Sequence, residues 1–255
     1  MSVRTRVIPT LLLDDGGLVK TVKFKDGTYV GDPANTVRIF NELEVDELCI
    51  LDIRATKQRR APSWDLLTEL ASEAFMPLSY GGGVRDVETV GKLLRTGFEK
   101  VIVNTSAFDR PELVRKASDA YGSQAIIVSI DVRRKLLGRY EVMVESGTRG
   151  TGKDPVEAAL RAQDLGAGEI LLTAIDREGT WSGLDTGLVA QVTKRVTIPV
   201  IAHGGAGTVQ HIGDAVHKGG ASAVALGSMV VFQGKDLGVL VNFPDHAELK
   251  RAIRR

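Results

Sequence analysis

The sequence predicts an α/β fold: a single (β/α)8 TIM barrel over residues 1–255, built from two similar half-barrels. Three observations predict it. Short β-branched runs alternate with helical patterns from end to end, the number of such units suits the chain length, and the second half repeats landmarks of the first. Alternation of this kind belongs to parallel strands joined by crossover helices. Eight strand–helix units in about 250 residues is the size of a barrel whose chemistry sits on the loops after the strands. A doubly wound open sheet is the alternative.

The strands are expected near Val7–Leu13, Glu47–Asp52, Leu78–Tyr80, Lys100–Val103, Ala125–Asp131, Glu169–Ile175, Val200–His203 and Ala223–Leu226. Asp32-Pro33 and Asp154-Pro155 each mark a helix start, with an N-cap carboxylate followed by a proline whose missing N–H costs nothing at the first helical position. The helix after Asp86 sets Val87, Val90, Leu93 and Leu94 on one face, which should pack on the barrel wall.

The halves match residue by residue around Pro77 and Pro199, 122 positions apart: Met76 to Gly83 aligns with Ile198 to Gly205. Leu51-Asp52-Ile53-Arg54 echoes Ile175-Asp176-Arg177-Glu178 at a spacing of 124. Paired glycines at matching strand ends are harder to explain by generic barrel packing than by an internal repeat.

Composition excludes several function classes. With 33 basic and 32 acidic side chains the net charge is +1, so no bulk field recruits nucleic acid or a membrane. The single cysteine, Cys49, lies in an apolar run and reads as a buried, inert thiol of a reducing compartment. The first residues lack a secretory signal, and the apolar run Ala221–Phe232 is too short to span a bilayer, so a cytoplasmic location is expected.

Glycines after the third and seventh strands, Gly82 and Gly83 in the first half and Gly204 and Gly205 in the second, let the backbone approach an anion and aim N–H groups at it. The strands that follow end in Asn104-Thr105-Ser106 and in Gly227-Ser228, placed to complete each pocket. Two such pairs at one barrel face point to a ligand carrying phosphate at both ends. No dinucleotide fingerprint or Walker loop is present, and His211 and His217 are spaced off one helical face, so neither a cofactor nor a metal is expected.

At these residues the chain closely resembles the cyclase subunit (HisF) of imidazole glycerol phosphate synthase. The likeness runs through Arg6-Val7-Ile8, Asp15 to Lys20, Gly31-Asp32-Pro33, Asp46-Glu47-Leu48, Gly81-Gly82-Gly83, Val103-Asn104-Thr105, Gly122-Ser123-Gln124, Gly168 to Thr173, Ile175-Asp176-Arg177 and Gly204 to Gly207. The resemblance implies that ammonia made by a separate glutaminase enters the barrel floor and attacks a bis-phosphorylated substrate at the top. It also implies two opposed aspartates as general acid and base, since opening the substrate and closing an imidazole ring need proton transfers on both sides. One is kept as Asp131. The family pattern places the other at Leu12, which carries no proton; a register slip would offer Asp14 instead.

By the same resemblance Lys20, Thr173, Asp176, Glu178 and His203 belong to the substrate pocket. His203 replaces a small hydroxyl residue and Glu178 an aspartate. Arg6, Glu47, Lys100 and Glu169 match the four inward charges that gate ammonia at the floor. Strand alternation supports this, because Arg6 shares parity with Leu12, Lys100 with Asn104 and Glu169 with Thr173. A structural ion-pair plug is the alternative reading of the ring.

A conduit with an incomplete cyclising site resembles the branch of this family that serves acetamidino modification of bacterial surface sugars, as do Arg6 to Leu13 and Val241-Asn242-Phe243-Pro244. The partners expected are a HisH-like class I glutaminase, an ATP-dependent sugar amidotransferase and a phosphorylated small molecule. Two other functions stay open: an active cyclase of histidine biosynthesis using Asp131 and a surrogate acid, and a silent phosphosugar-binding scaffold that regulates its partner.

Overall fold

In the computed structural model, which describes residues 5–254, eight parallel strands close into a barrel in chain order. They are β1 (Arg6–Asp14), β2 (Leu48–Asp52), β3 (Leu78–Gly81), β4 (Lys100–Val103), β5 (Ile126–Arg134), β6 (Glu169–Ala174), β7 (Val200–His203) and β8 (Ala223–Leu226). Each pairs with its neighbours in sequence; β1 closes the ring on β8, and β5 joins the halves through six parallel pairs to β6. The open-sheet alternative is thereby excluded.

Helices α1 (Pro33–Glu42), α2 (Trp64–Glu73), α3 (Val87–Thr96), α4 (Glu112–Tyr121), α5 (Pro155–Asp164), α6 (Thr186–Thr193), α7 (Val209–His217) and α8 (His246–Ile253) pack outside. Asp32 caps α1 by accepting from the Asn35 amide, and Asp154 caps α5 by accepting from those of Val156 and Glu157. Caps of this kind are worth about 1 kcal/mol each. On α3, Val90 and Leu93 are fully buried and Val87 and Leu94 pack at their flanks, as the periodicity predicts. Among the described residues no helix is long and apolar enough to cross a membrane.

Inside the barrel, Ile8, Ile102, Ile127, Leu171, Ile201, Ala223 and Ala225 form a second, separate apolar cluster between the charged floor and the mouth. Cys49 lies in this cluster, and burial pushes its thiol up to about 12, so it is an inert interior group.

Two excursions that the sequence reading lacked follow corresponding strands. After β1 comes the antiparallel hairpin Gly17–Val22 with Lys25–Gly31, and after β5 the hairpin Tyr140–Val144 with Arg149–Gly150. Both turn through two successive non-glycine residues with positive φ, Lys23-Phe24 (55° and 64°) and Glu145-Ser146 (55° and 54°). The hairpins meet over the mouth: a Cβ at Gly147 would lie 2.9 Å from the Phe24 ring.

Register corrects one part of the repeat. Leu51 pairs with Gly81 as Thr173 pairs with His203, so the halves superpose at a constant spacing of 122 through both segments. Asp52 therefore corresponds to Ala174, not Asp176. A Cβ at Gly82 would meet the Asp52 carbonyl oxygen at 2.6 Å, and one at Gly204 the Ala174 carbonyl oxygen at the same distance.

Candidate active site

The C-terminal ends of the strands surround a cavity of about 650 Å³. Leu12 and Asp131 face it from the two halves, and Leu12 pairs with Leu51 as Asp131 pairs with Thr173. The two side chains hold equivalent positions, one with a carboxylate and one without. Asp131 is buried, accepting from Ser129 Oγ at 3.2 Å and from Asn104 Nδ2 at 3.3 Å. Burial lifts its carboxyl to about 7, against the lowering effect of its Ser129 and Thr173 hydrogen bonds. A carboxyl poised there can give or take a proton near neutrality.

Asp14 is not displaced onto a loop. It is the last residue of β1, lines the same cavity and is held by Arg54, whose Nε lies 3.0 Å from both carboxylate oxygens. A second carboxylate thus exists on the Leu12 side, nearer the rim and committed to an ion pair.

His203 hydrogen-bonds through Nδ1 to Thr173 Oγ1 at 3.2 Å. Burial and the nearby Lys20 charge hold its pKa down at about 3, which makes it a neutral ring at any physiological pH. Glu178 anchors the first hairpin: its carboxylate accepts from Thr21 Oγ1 and the Phe24 amide, and its carbonyl from the Lys23 amide. Its pKa is raised, chiefly by burial. Asp176 is outside the cavity lining and accepts from the Arg134 amide at 2.6 Å, fixing the end of β5.

The two loops expected to hold phosphate share an unusual backbone. Asn104 (φ −110°, ψ −92°) and Gly227 (φ −99°, ψ −100°) are nearly superposable, and Gly82, Gly83, Gly204 and Gly205 all have positive φ. Gly82, Gly83, Asn104 and Thr105 line the open cavity; Gly204, Gly205, Gly227 and Ser228 lie outside it. Lys20 reaches the second loop from the first hairpin, where a Cβ on Gly227 would fall 2.6 Å from its Nζ. That ammonium is buried without a hydrogen-bond partner, and burial lowers its pKa while the Glu178 charge opposes the shift. A buried cation lacking an acceptor at an anion cradle is a ready partner for one phosphate oxygen.

At the opposite end the four floor charges form a closed ring. Arg6 donates to Glu47 at 2.6 Å and to Glu169 at 2.7 Å, and Lys100 donates to the same two carboxylates at 2.9 Å each. Glu47 Oε1 is buried and has no partner among the described residues, so the ring they form keeps one acceptor free. Directly above lies the apolar interior cluster, an environment that passes a neutral small molecule more easily than an ion.

A family model described as histidine biosynthesis protein matches residues 6–236. The chain is 48% identical over 243 residues to a Pseudomonas aeruginosa protein provisionally named imidazole glycerol phosphate synthase subunit hisF2, covering 95% of this chain and 97% of that one. It is 42% identical over 252 residues to a Vibrio vulnificus protein provisionally named subunit hisF3 of the same synthase, covering 98% and 97%. It is 44% identical over 238 residues to imidazole glycerol phosphate synthase subunit HisF of Streptomyces coelicolor, covering 93% and 94%.

Proposed function

Since the chain belongs to the HisF family of imidazole glycerol phosphate synthase cyclase subunits, we propose that it pairs with a HisH-like glutaminase, admits ammonia through its floor and releases it at the mouth. The ammonia then serves a separate ATP-dependent amidotransferase that builds an acetamidino group on a nucleotide sugar of surface polysaccharide. The observation that carries this reading is Leu12. It occupies the position equivalent to Asp131 and lines the same cavity, so the proton transfers of ring closure lose one of their two sides.

The floor supports the ammonia half of the proposal. Arg6, Glu47, Lys100 and Glu169 neutralise one another in a closed ring, yet Glu47 keeps a free buried oxygen that ammonia could reach as a hydrogen-bond donor. Gly82, Gly83, Asn104 and Thr105, and Gly204, Gly205, Gly227 and Ser228 with Lys20, would hold phosphate groups. Asp131 would assist proton transfer as ammonia emerges, with Thr173 and His203 as neutral hydrogen-bonding neighbours.

The second reading, an active cyclase of histidine biosynthesis, is favoured by Asp14, a cavity-lining carboxylate on the same face of β1 as Leu12. Supplying purified protein with ammonium and the bis-phosphorylated ribulosyl substrate separates the two. The conduit reading expects no cyclisation; robust turnover establishes the cyclase.

A further inference from the structure

The two phosphate loops match in backbone, but the groups around them do not. Gly83 abuts Ala55 as Gly205 abuts Arg177, and Arg59 and Trp181 share a left-handed conformation (φ 53° and 62°). Asp86 and Thr208 then cap α3 and α7. These landmarks place Lys57 opposite Gly179, Arg59 opposite Trp181 and Arg85 opposite Gly207, and counting on from Asn104 and Gly227 places Arg110 opposite Gln233. Four cations in the first half thus face glycine, tryptophan, glycine and glutamine in the second.

All four line the cavity beside Gly82, Gly83 and Asn104. Among the described residues none has a carboxylate partner, and the Arg85 guanidinium donates to the Arg59 carbonyl. Three acids on the same wall are already engaged, Asp52 by Arg60 and Asp109 and Glu145 together by Arg149, and Asp26 of the first hairpin also lines the cavity. Arg54 is likewise spent on Asp14. Unpaired like charges crowded in a cleft repel one another and raise its positive potential, which a polyanion relieves. The second loop has a different set: the buried Lys20 ammonium reaching over from the first hairpin, and Arg177 beside Gly205, which donates to the Ser182 and Gly183 carbonyls.

We propose that the first-half site binds a diphosphate, the group by which a nucleoside diphosphate or its sugar ester would be held, while the second-half site takes a single phosphate. Gly82, Gly83 and Asn104 would cradle the inner phosphate. Lys57, Arg59, Arg85 and Arg110 would surround the outer one at the open rim, where the remainder of the ligand has room. This rests on the mouth being the ligand site of the proposed function, and it names that ligand's class.

Titration calorimetry of the full-length barrel with inorganic pyrophosphate and with orthophosphate tests it. Pyrophosphate should bind about tenfold tighter or more in low salt, with a preference that shrinks as salt rises. In Lys57→Gln/Arg110→Gln the preference should fall towards parity, with unchanged thermal unfolding. Equal affinity of the two anions for the wild type would overturn the proposal even if the variant fails to fold. So would a full preference in a folded variant. Uridine diphosphate and its sugar ester as further probes then show whether the free diphosphate or the ester binds better. Loss of the preference leaves ammonia transfer to be judged by its own coupling assay, so the two ideas fail separately.

Discussion

Replacing Asp131 by asparagine should make the protein more stable at pH 8 and leave it unchanged near pH 4. The carboxyl is buried, and burial raises its pKa from 3.8 to about 7. A group that binds its proton more tightly when folded contributes fully below its unfolded pKa, and that contribution is lost as pH rises through the folded one. For Asp131 the window runs from roughly pH 4 to pH 7, and above it the folded state carries a buried carboxylate. A shift of this size corresponds to at most about 4 kcal/mol; relaxation and water reaching the cavity would reduce it to about 2 kcal/mol. Asparagine keeps an oxygen that can accept from Ser129 Oγ or Asn104 Nδ2 and has nothing to ionise. Urea unfolding of both proteins at pH 4.5 and pH 8, with equal slopes, reads the effect as a pH-dependent gap between midpoints. A gap that is the same at both pH values would refute the assignment of a raised pKa, and with it the role of Asp131 as a proton carrier near neutrality.

Reversing the charge of Lys100 should break the floor ring, since it alone joins Arg6 in neutralising Glu47 and Glu169. With a glutaminase bound, glutamine hydrolysis should then run without a matching yield of amidated product, measured as the ratio of the two. Lys20→Met should raise the stability of the ligand-free protein by about 1 kcal/mol, because it removes a buried ammonium that lacks an acceptor, and should weaken phosphate binding in the same titration. Gly82→Ala places a Cβ 2.6 Å from the Asp52 carbonyl oxygen at φ +129°, so it should cost more than about 2 kcal/mol in thermal unfolding.

The strands and the α1 and α5 caps were legible because each depends on local pattern, whereas Leu12 was singled out only by the family resemblance. The floor residues came from the family resemblance, and parity along β1, β4 and β6 only agreed with it; the closure of the ring, which depends on four independent side-chain directions, is visible only in the structure. The two hairpins were not legible. Their turns put the non-glycine residues Lys23-Phe24 and Glu145-Ser146 in the left-handed region, and the first is held by Glu178 from far along the chain. Asp14 was offered only by way of a register slip, whereas the Gly17–Val22 strand extends β1 by pairing with it, so the residue stays on the strand and faces the cavity without one. The repeat at spacing 124 was a chance likeness of loops, which only the pairing of Leu51 and Thr173 with their neighbours exposes.

On the proposed function, this barrel would keep the ammonia floor and phosphate cradles of its family while lacking one of two opposed carboxylates. Cyclisation by wild type and Leu12→Asp, each given saturating ammonium and the bis-phosphorylated ribulosyl substrate, tests it most directly. The wild type should give no detectable product and the variant a gain of about a hundredfold or more, the contribution of one positioned acid or base. Wild-type turnover equal to that of the variant would contradict it.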